Sequence, residues 1–171
     1  MTETDTGTTP SPPPIFTADD GIEKLWEQAY QGEVLGEALF GAIADRLDDP
    51  EHAGKMRVLA TLELRTKEAV APALERAGIS TAPDAEMLGV AEALAADSEK
   101  STWTDIMAAT VSVTSQFIPL YRRIGELSPA ESETADLLVA HEVALHAFAL
   151  AELAGESVTS LDPVHALAHM R

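Results

Sequence analysis

The sequence predicts an all-α fold: an up-down bundle of four long helices with one long, partly helical crossover. Three observations carry this expectation. The chain is rich in alanine, leucine and glutamate and is 46% hydrophobic but only 5% aromatic, a composition that favours helix over sheet. Apolar residues recur at helical spacing over four segments, 19–48, 51–77, 101–126 and 129–154. The joints between those segments run short, long, short, the loop pattern of a bundle with a single crossover.

Taken in order, residues 1–18 ("MTETDTGTTPSPPPIFTA") are threonine- and proline-rich without periodicity and read as a disordered tail, with Ile15 and Phe16 as candidates for docking. The bundle then occupies 19–155. Thr17, Asp19 or Asp20 can cap the first helix, "DDPE" breaks the chain and restarts it at Pro50, and Gly78 ends the second helix. The crossover is expected to be helical around "DAEMLGVAEALAADS". In "SPAE", Ser128 caps the fourth helix and Pro129 takes its first position, while Gly155 stops it. Residues 156–171 form an extension with a short helix, in which His165 and His169 share a face and read as packing residues.

Charge and composition narrow the function. The formal charge of -18, from 29 acidic against 11 basic residues, repels phosphate backbones and anionic lipid, so nucleic acid and membranes are not expected partners. The absence of cysteine excludes disulfides, iron–sulfur clusters and thiolate catalysis. No signal-peptide pattern and no apolar run of membrane-spanning length stand out, which makes the cytoplasm the expected location.

The stretch "YQGEVLGEALF", residues 30–40, places Glu33 and Glu37 one helical turn apart in an apolar segment. At about 100° per residue, Ile22, Trp26, Ala29, Phe40, Ala44 and Leu47 cluster around Glu33, which sits mid-stripe. Glu37 lies nearer the stripe's edge. Gly32 and Gly36, beside the stripe, imply a closely packed neighbouring backbone. In the second helix Glu63 centres a stripe of Met56, Leu59, Val70, Leu74 and Ala77, with Lys67 and Thr66 on its two sides. The third helix buries hydroxyls rather than acids: its stripe is Trp103, Ile106, Thr110, Thr114, Phe117, Tyr121 and Ile124. In the fourth, Glu142 lies with Leu138, Leu145, Ala149 and Leu153, flanked by His141 and His146. Counted from the two short loops, Glu33, Glu37, Glu63 and Glu142 share one level near mid-bundle. Carboxylates meeting there must take protons, find cations or bind metal.

Four helices with one crossover, and inward glutamates at mid-height of the first, second and fourth, resemble the ferritin-like superfamily over roughly residues 20–154. The resemblance implies iron or manganese held between the helices by Glu and Glu-x-x-His motifs. Here the second-helix motif reads "ELRT", with Thr66 in the histidine's place, and the fourth reads "EVAL", with Leu145 there. The third helix lacks its glutamate.

The expected metal ligands are Glu33, Glu63, Glu142 and His146, the last replacing the missing ligand one turn after Glu142. Glu37, Lys67, Thr110, Tyr121 and His141 are candidates to line the site. The leading expectation is a ferritin-like metal-binding protein, a small oxidase or oxygenase working on a small molecule. The alternative is a metal-free bundle with a structural or ligand-binding role, built around a buried Glu/Lys/His network that includes Lys67. Apolar positions outside the core stripes, Leu35, Val143, Ala147 and Leu150, point to a homo-oligomer, most simply a dimer.

Overall fold

Helix boundaries follow the local chemistry of the chain. In the computed structural model, which describes residues 21–171, α1 spans Ile22–Ala44 and α2 spans Pro50–Arg76. Asp49 caps α2 by accepting from the amides of Glu51 and His52, and Pro50 occupies its first turn. This is the arrangement a missing proline N–H and a short acidic side chain favour. Gly78 and Gly155 adopt φ of +72° and +79° just past α2 and α5, left-handed positions that suit glycine. The threonine- and proline-rich tail, its residues Ile15 and Phe16, and the caps Thr17, Asp19 and Asp20 lie outside the described residues.

The crossover carries α3 at Ala85–Ser98, as its sequence led one to expect. It runs alongside α1: Gln31 bonds to Ala82 and Asp84 at one end, and Arg46 pairs with Glu92 and Glu99 at the other. The chain is thereby returned to the end of the bundle where α2 began. There α4, Trp103–Leu127, starts under a capping box in which Thr102 and Asp105 satisfy each other's backbone amides. After α4 the expectation needs correcting. Pro129–Glu131 form a 3-10 turn, and α5 runs from Ser132 to Leu153. Ser128 does not cap it; its hydroxyl accepts from the Trp26 indole at 3.0 Å.

Helices α1 and α2 pack as one pair and α4 and α5 as another, with α2 against α5 and α1 against α4 joining the pairs. The described residues contain no strand. Two apolar clusters fill the bundle. One, toward the α1–α2 joint, gathers Phe40, Met56, Leu59, Met107, Leu145 and Phe148. The other, toward the α4–α5 joint, gathers Leu25, Trp26, Val70, Leu74, Ile124 and Leu138. Between them lies a layer of buried polar side chains: Glu33, Glu63, Thr66, Thr110, Thr114, His141 and Glu142.

The C-terminal extension closes on the bundle. It contains α6, Asp162–His165, and a 3-10 turn at Ala168–Met170. Val164 is fully buried, and Leu161, Leu167 and Met170 pack against the first cluster. The segment is also held by a buried ion pair: Lys55 donates to Glu152 at 2.6 Å and to the Ser157 carbonyl at 2.9 Å, and the Trp103 indole donates to Glu152 at 2.9 Å.

By length and composition alone, the helical segment Pro129–Leu153 could cross a membrane, contrary to the sequence expectation. In this fold its Ala135, Leu138, Ala144, Leu145, Phe148 and Ala149 are core residues.

Candidate metal centre

The centre is built from one residue level on three helices. Glu33 of α1 is 1% exposed, Glu63 of α2 is 4%, and His141 and Glu142 of α5 are 0% and 6%. The helical stripe that buries Glu33 continues above and below it as Trp26, Ala29, Phe40 and Ala44, so the carboxylate sits within the buried face of its helix. Glu63 is placed by Gly36. A Cβ on that glycine would stand 2.5 Å from Glu63 Cδ and 2.6 Å from its Oε2, inside van der Waals contact. Gly32 leaves similar, looser room for the Tyr121 hydroxyl, 3.4 Å from where its Cβ would be. The two glycines therefore admit side chains of the centre, rather than the neighbouring backbone expected from the sequence.

His141 Nε2 stands 3.4 Å from Glu63 Oε1 and 3.6 Å from Glu33 Oε2. These separations are too long for good hydrogen bonds. They match two ligands of one ion: atoms each about 2.1 Å from a shared metal stand roughly 3.0 Å apart at right angles and roughly 3.4 Å apart in a tetrahedron. Ligand-capable atoms of Glu33, Glu63 and His141 all fall within 4.8 Å of one another. Glu33 Oε2, His141 Nε2 and Glu142 Oε2 are buried without a hydrogen-bond partner, a state that ordinarily costs each group its full desolvation penalty. The donor set of carboxylates and one imidazole, with unpartnered atoms converging, fits a divalent transition metal.

Electrostatics describe the same centre. Burial pushes the Glu33 and Glu142 carboxyls well above the ordinary range, opposed by His141 and reinforced by the neighbouring acids. Burial raises Glu63 to about 8, a hydrogen bond with Glu33 working against the shift and the Glu37 charge adding to it. The Tyr121 hydroxyl, also hydrogen-bonded to Glu33, is pushed well above its usual value by burial and by the three acids. Such shifts express the cost of leaving charge uncompensated in this layer.

The other expected participants take different places. His146 does not join the cluster: it is half-buried on the far edge of α5, with Nδ1 2.8 Å from the Thr114 hydroxyl. The histidine that meets the acids is His141, one position before Glu142. Glu37 is one-third exposed and pairs with Lys67 at the bundle's edge. Lys67 is thus committed to Glu37 rather than to the buried acids. Thr110 turns its hydroxyl onto the Ile106 carbonyl of its own helix, a common habit of buried helical threonine. Tyr121 does line the centre.

Two connections had no signal in a single-stripe reading: the contact of Thr66 with His141 and His169, and the burial of Lys55 with Glu152. Helix α5 is buried over a wide arc, from His141 and Glu142 through Ala144, Leu145, Phe148 and Ala149. A wide arc turns both members of the His141–Glu142 pair inward. No family model, curated protein or solved structure matches the chain.

Proposed function

We propose that the protein is a metal-binding helical bundle of ferritin-like arrangement, holding one divalent iron or manganese ion on Glu33, Glu63 and His141 with Glu142 beside it. The observation that carries this reading is the convergence of the buried Glu33, Glu63 and His141, whose ligand atoms lie within 4.8 Å of one another, with Glu33 Oε2 and His141 Nε2 lacking a hydrogen-bond partner. Charge balance supports it. Two carboxylates neutralise one dication, His141 binds as the neutral imidazole, and Glu142 keeps its proton in the apolar layer. The mixture of carboxylate and imidazole suits iron and manganese, whereas thiolate-preferring metals find no ligand in a chain without cysteine.

Such an ion would supply one-electron chemistry toward a small oxidant such as dioxygen, the basis for reading the protein as an oxidase or oxygenase. The chain's own residues have separate tasks. Glu33 and Glu63 bring negative charge, Gly36 and Gly32 make room for Glu63 and Tyr121, and the two apolar clusters exclude water. Glu142 holds a proton beside the centre. We propose in addition a cytoplasmic homo-oligomer. Val143 and Leu150 on α5 and Val113 on α4 are 43%, 47% and 44% exposed, whereas Leu35 and Ala147 are half-buried.

A metal-free network is the competing reading, favoured by one contact, the hydrogen bond between Glu33 and Glu63 through which the acids can share a proton. Thermal melting with added Mn2+ or Fe2+ separates the two. Binding confined to the folded state raises the melting temperature by mass action, and Glu63→Ala removes that rise. An equal rise in the variant would place the ion on the acidic surface instead.

A further inference from the structure

Thr66 is fully buried, and its hydroxyl sits between two imidazoles: 2.8 Å from His141 Nδ1 and 3.1 Å from His169 Nε2. A hydroxyl has one proton to donate. If it gives that proton to one ring it accepts from the other, so the three groups form a directional chain with two possible senses. In one sense His141 carries its proton on Nδ1, donates to Thr66, and Thr66 donates to His169. In the other, His169 donates inward, and His141 carries its proton on Nε2, pointing between Glu33 and Glu63.

The second sense turns an N–H toward carboxylate oxygens 3.4 and 3.6 Å away, contacts too long for good hydrogen bonds, and leaves no lone pair for an ion. The first presents a lone pair to the centre, which is what a metal ligand must do. Burial, with His141 nearby, also holds His169 below the usual histidine range. That shift favours the neutral ring, whose Nε2 can accept from Thr66.

We propose that His169, at the C-terminal turn, is a positioning residue: acting through Thr66, it fixes His141 in the Nδ1–H tautomer and turns the Nε2 lone pair toward Glu33 and Glu63. Both the preference for this tautomer and its consequence for metal affinity rest on the metal reading above; the His141–Thr66–His169 contact itself does not. The fold supplies the means of delivery. Leu167 and Met170 pack on the bundle core, so docking of the last residues carries His169 onto α2. The segment thus completes the centre from outside the four long helices. The tautomer of a liganding histidine is ordinarily set by the hydrogen bond its other nitrogen makes, and loss of that bond commonly weakens metal binding about 10- to 100-fold.

Long-range 1H–15N correlation spectra of the imidazole rings, recorded on the metal-free full chain, read the tautomer directly. The wild type should show His141 protonated at Nδ1. His169→Leu should mix the two tautomers and weaken Mn2+ binding about 10-fold. His169→Gln, whose amide oxygen can accept in place of Nε2, should preserve both properties. Thr66→Val, near in shape but without the hydroxyl, breaks the chain at its middle and should reproduce the leucine variant even if that variant loosens the C-terminal turn. A wild-type His141 protonated at Nε2 would overturn the proposal, as would an unchanged tautomer in both His169→Leu and Thr66→Val. A wild type that binds no Mn2+ but shows the Nδ1–H tautomer would count against the metal centre and leave the positioning role standing.

Discussion

Gly36 of α1 and the carboxylate of Glu63 on α2 fit together as notch and tooth: a single methyl group on the glycine would occupy space 2.5 Å from Glu63 Cδ. A glycine in a helix interior ordinarily costs about 1 kcal/mol relative to alanine. Here that cost admits an acid to the centre. Gly36→Ala should therefore displace Glu63 and abolish or sharply reduce the metal-induced rise in melting temperature while the helices persist. Gly41, whose Cβ would meet nothing within 4 Å, provides the control. Gly41→Ala should stabilise by roughly 0.5–1 kcal/mol and keep the metal response. Equal metal responses in the two variants would show that the Gly36 notch does not matter to the site.

Lys67 distinguishes a central cation from an edge one. Its ammonium pairs with Glu37, and both side chains retain contact with solvent, at 17% and 34% exposure. Lys67→Met should then cost roughly 1 kcal/mol or less, as partly exposed pairs do, and leave Mn2+ binding unchanged. Urea unfolding and metal titration of this variant check both. A loss of several kcal/mol would mean that Lys67 neutralises the buried acids, as the metal-free network requires.

Lys55 should behave in the opposite way. It is 6% exposed, and the Glu152 side chain it pairs with is 2% exposed. Removing the lysine leaves that carboxylate buried without its cation. Lys55→Met should cost about 3–5 kcal/mol and release the C-terminal extension. Limited proteolysis within residues 156–171, together with urea unfolding, measures this; a change under about 1 kcal/mol would contradict the buried-pair account.

Acidity offers an independent handle. In the folded, metal-free protein Glu63 holds its proton up to about pH 8, whereas an unfolded glutamate loses it near about 4.3. The folded state thus binds more protons between those values, and stability falls as pH rises across that window. The contribution is full below the unfolded value and gone above the folded one. Glu33 and Glu142, shifted in the same direction, add to it. A bound metal replaces the protons of Glu33 and Glu63, so its stabilisation should grow with pH. Urea unfolding at about pH 5 and pH 8.5, with chelator and with Mn2+, should show the two curves diverging; metal-free stability that rises across this interval would contradict the shifts.

Much of this architecture was legible in periodicity and punctuation. The four stripes, Pro50, Gly78, Gly155 and the helix in the crossover all reflect local preferences that the packed chain keeps. Glu33, Glu63 and Glu142 could be placed inside because each sits mid-stripe among large apolar residues. The choice between His141 and His146 could not be made that way. Both flank Glu142 on α5, and which edge turns inward depends on where α2 and the C-terminal turn pack. Thr66 and His169 are 103 positions apart, and no local pattern joins them. Glu37, read at the stripe's edge, could have turned either way; it follows nearby Lys67 outward.

The most direct test is the metal content of the protein purified without chelator from cells supplied with iron and manganese. The wild type should carry about one equivalent of iron or manganese per chain, and Glu63→Ala and His141→Ala should carry almost none while remaining helical. Wild-type protein that holds neither metal, and whose melting temperature does not move when either is added, would contradict a metal centre at Glu33, Glu63 and His141.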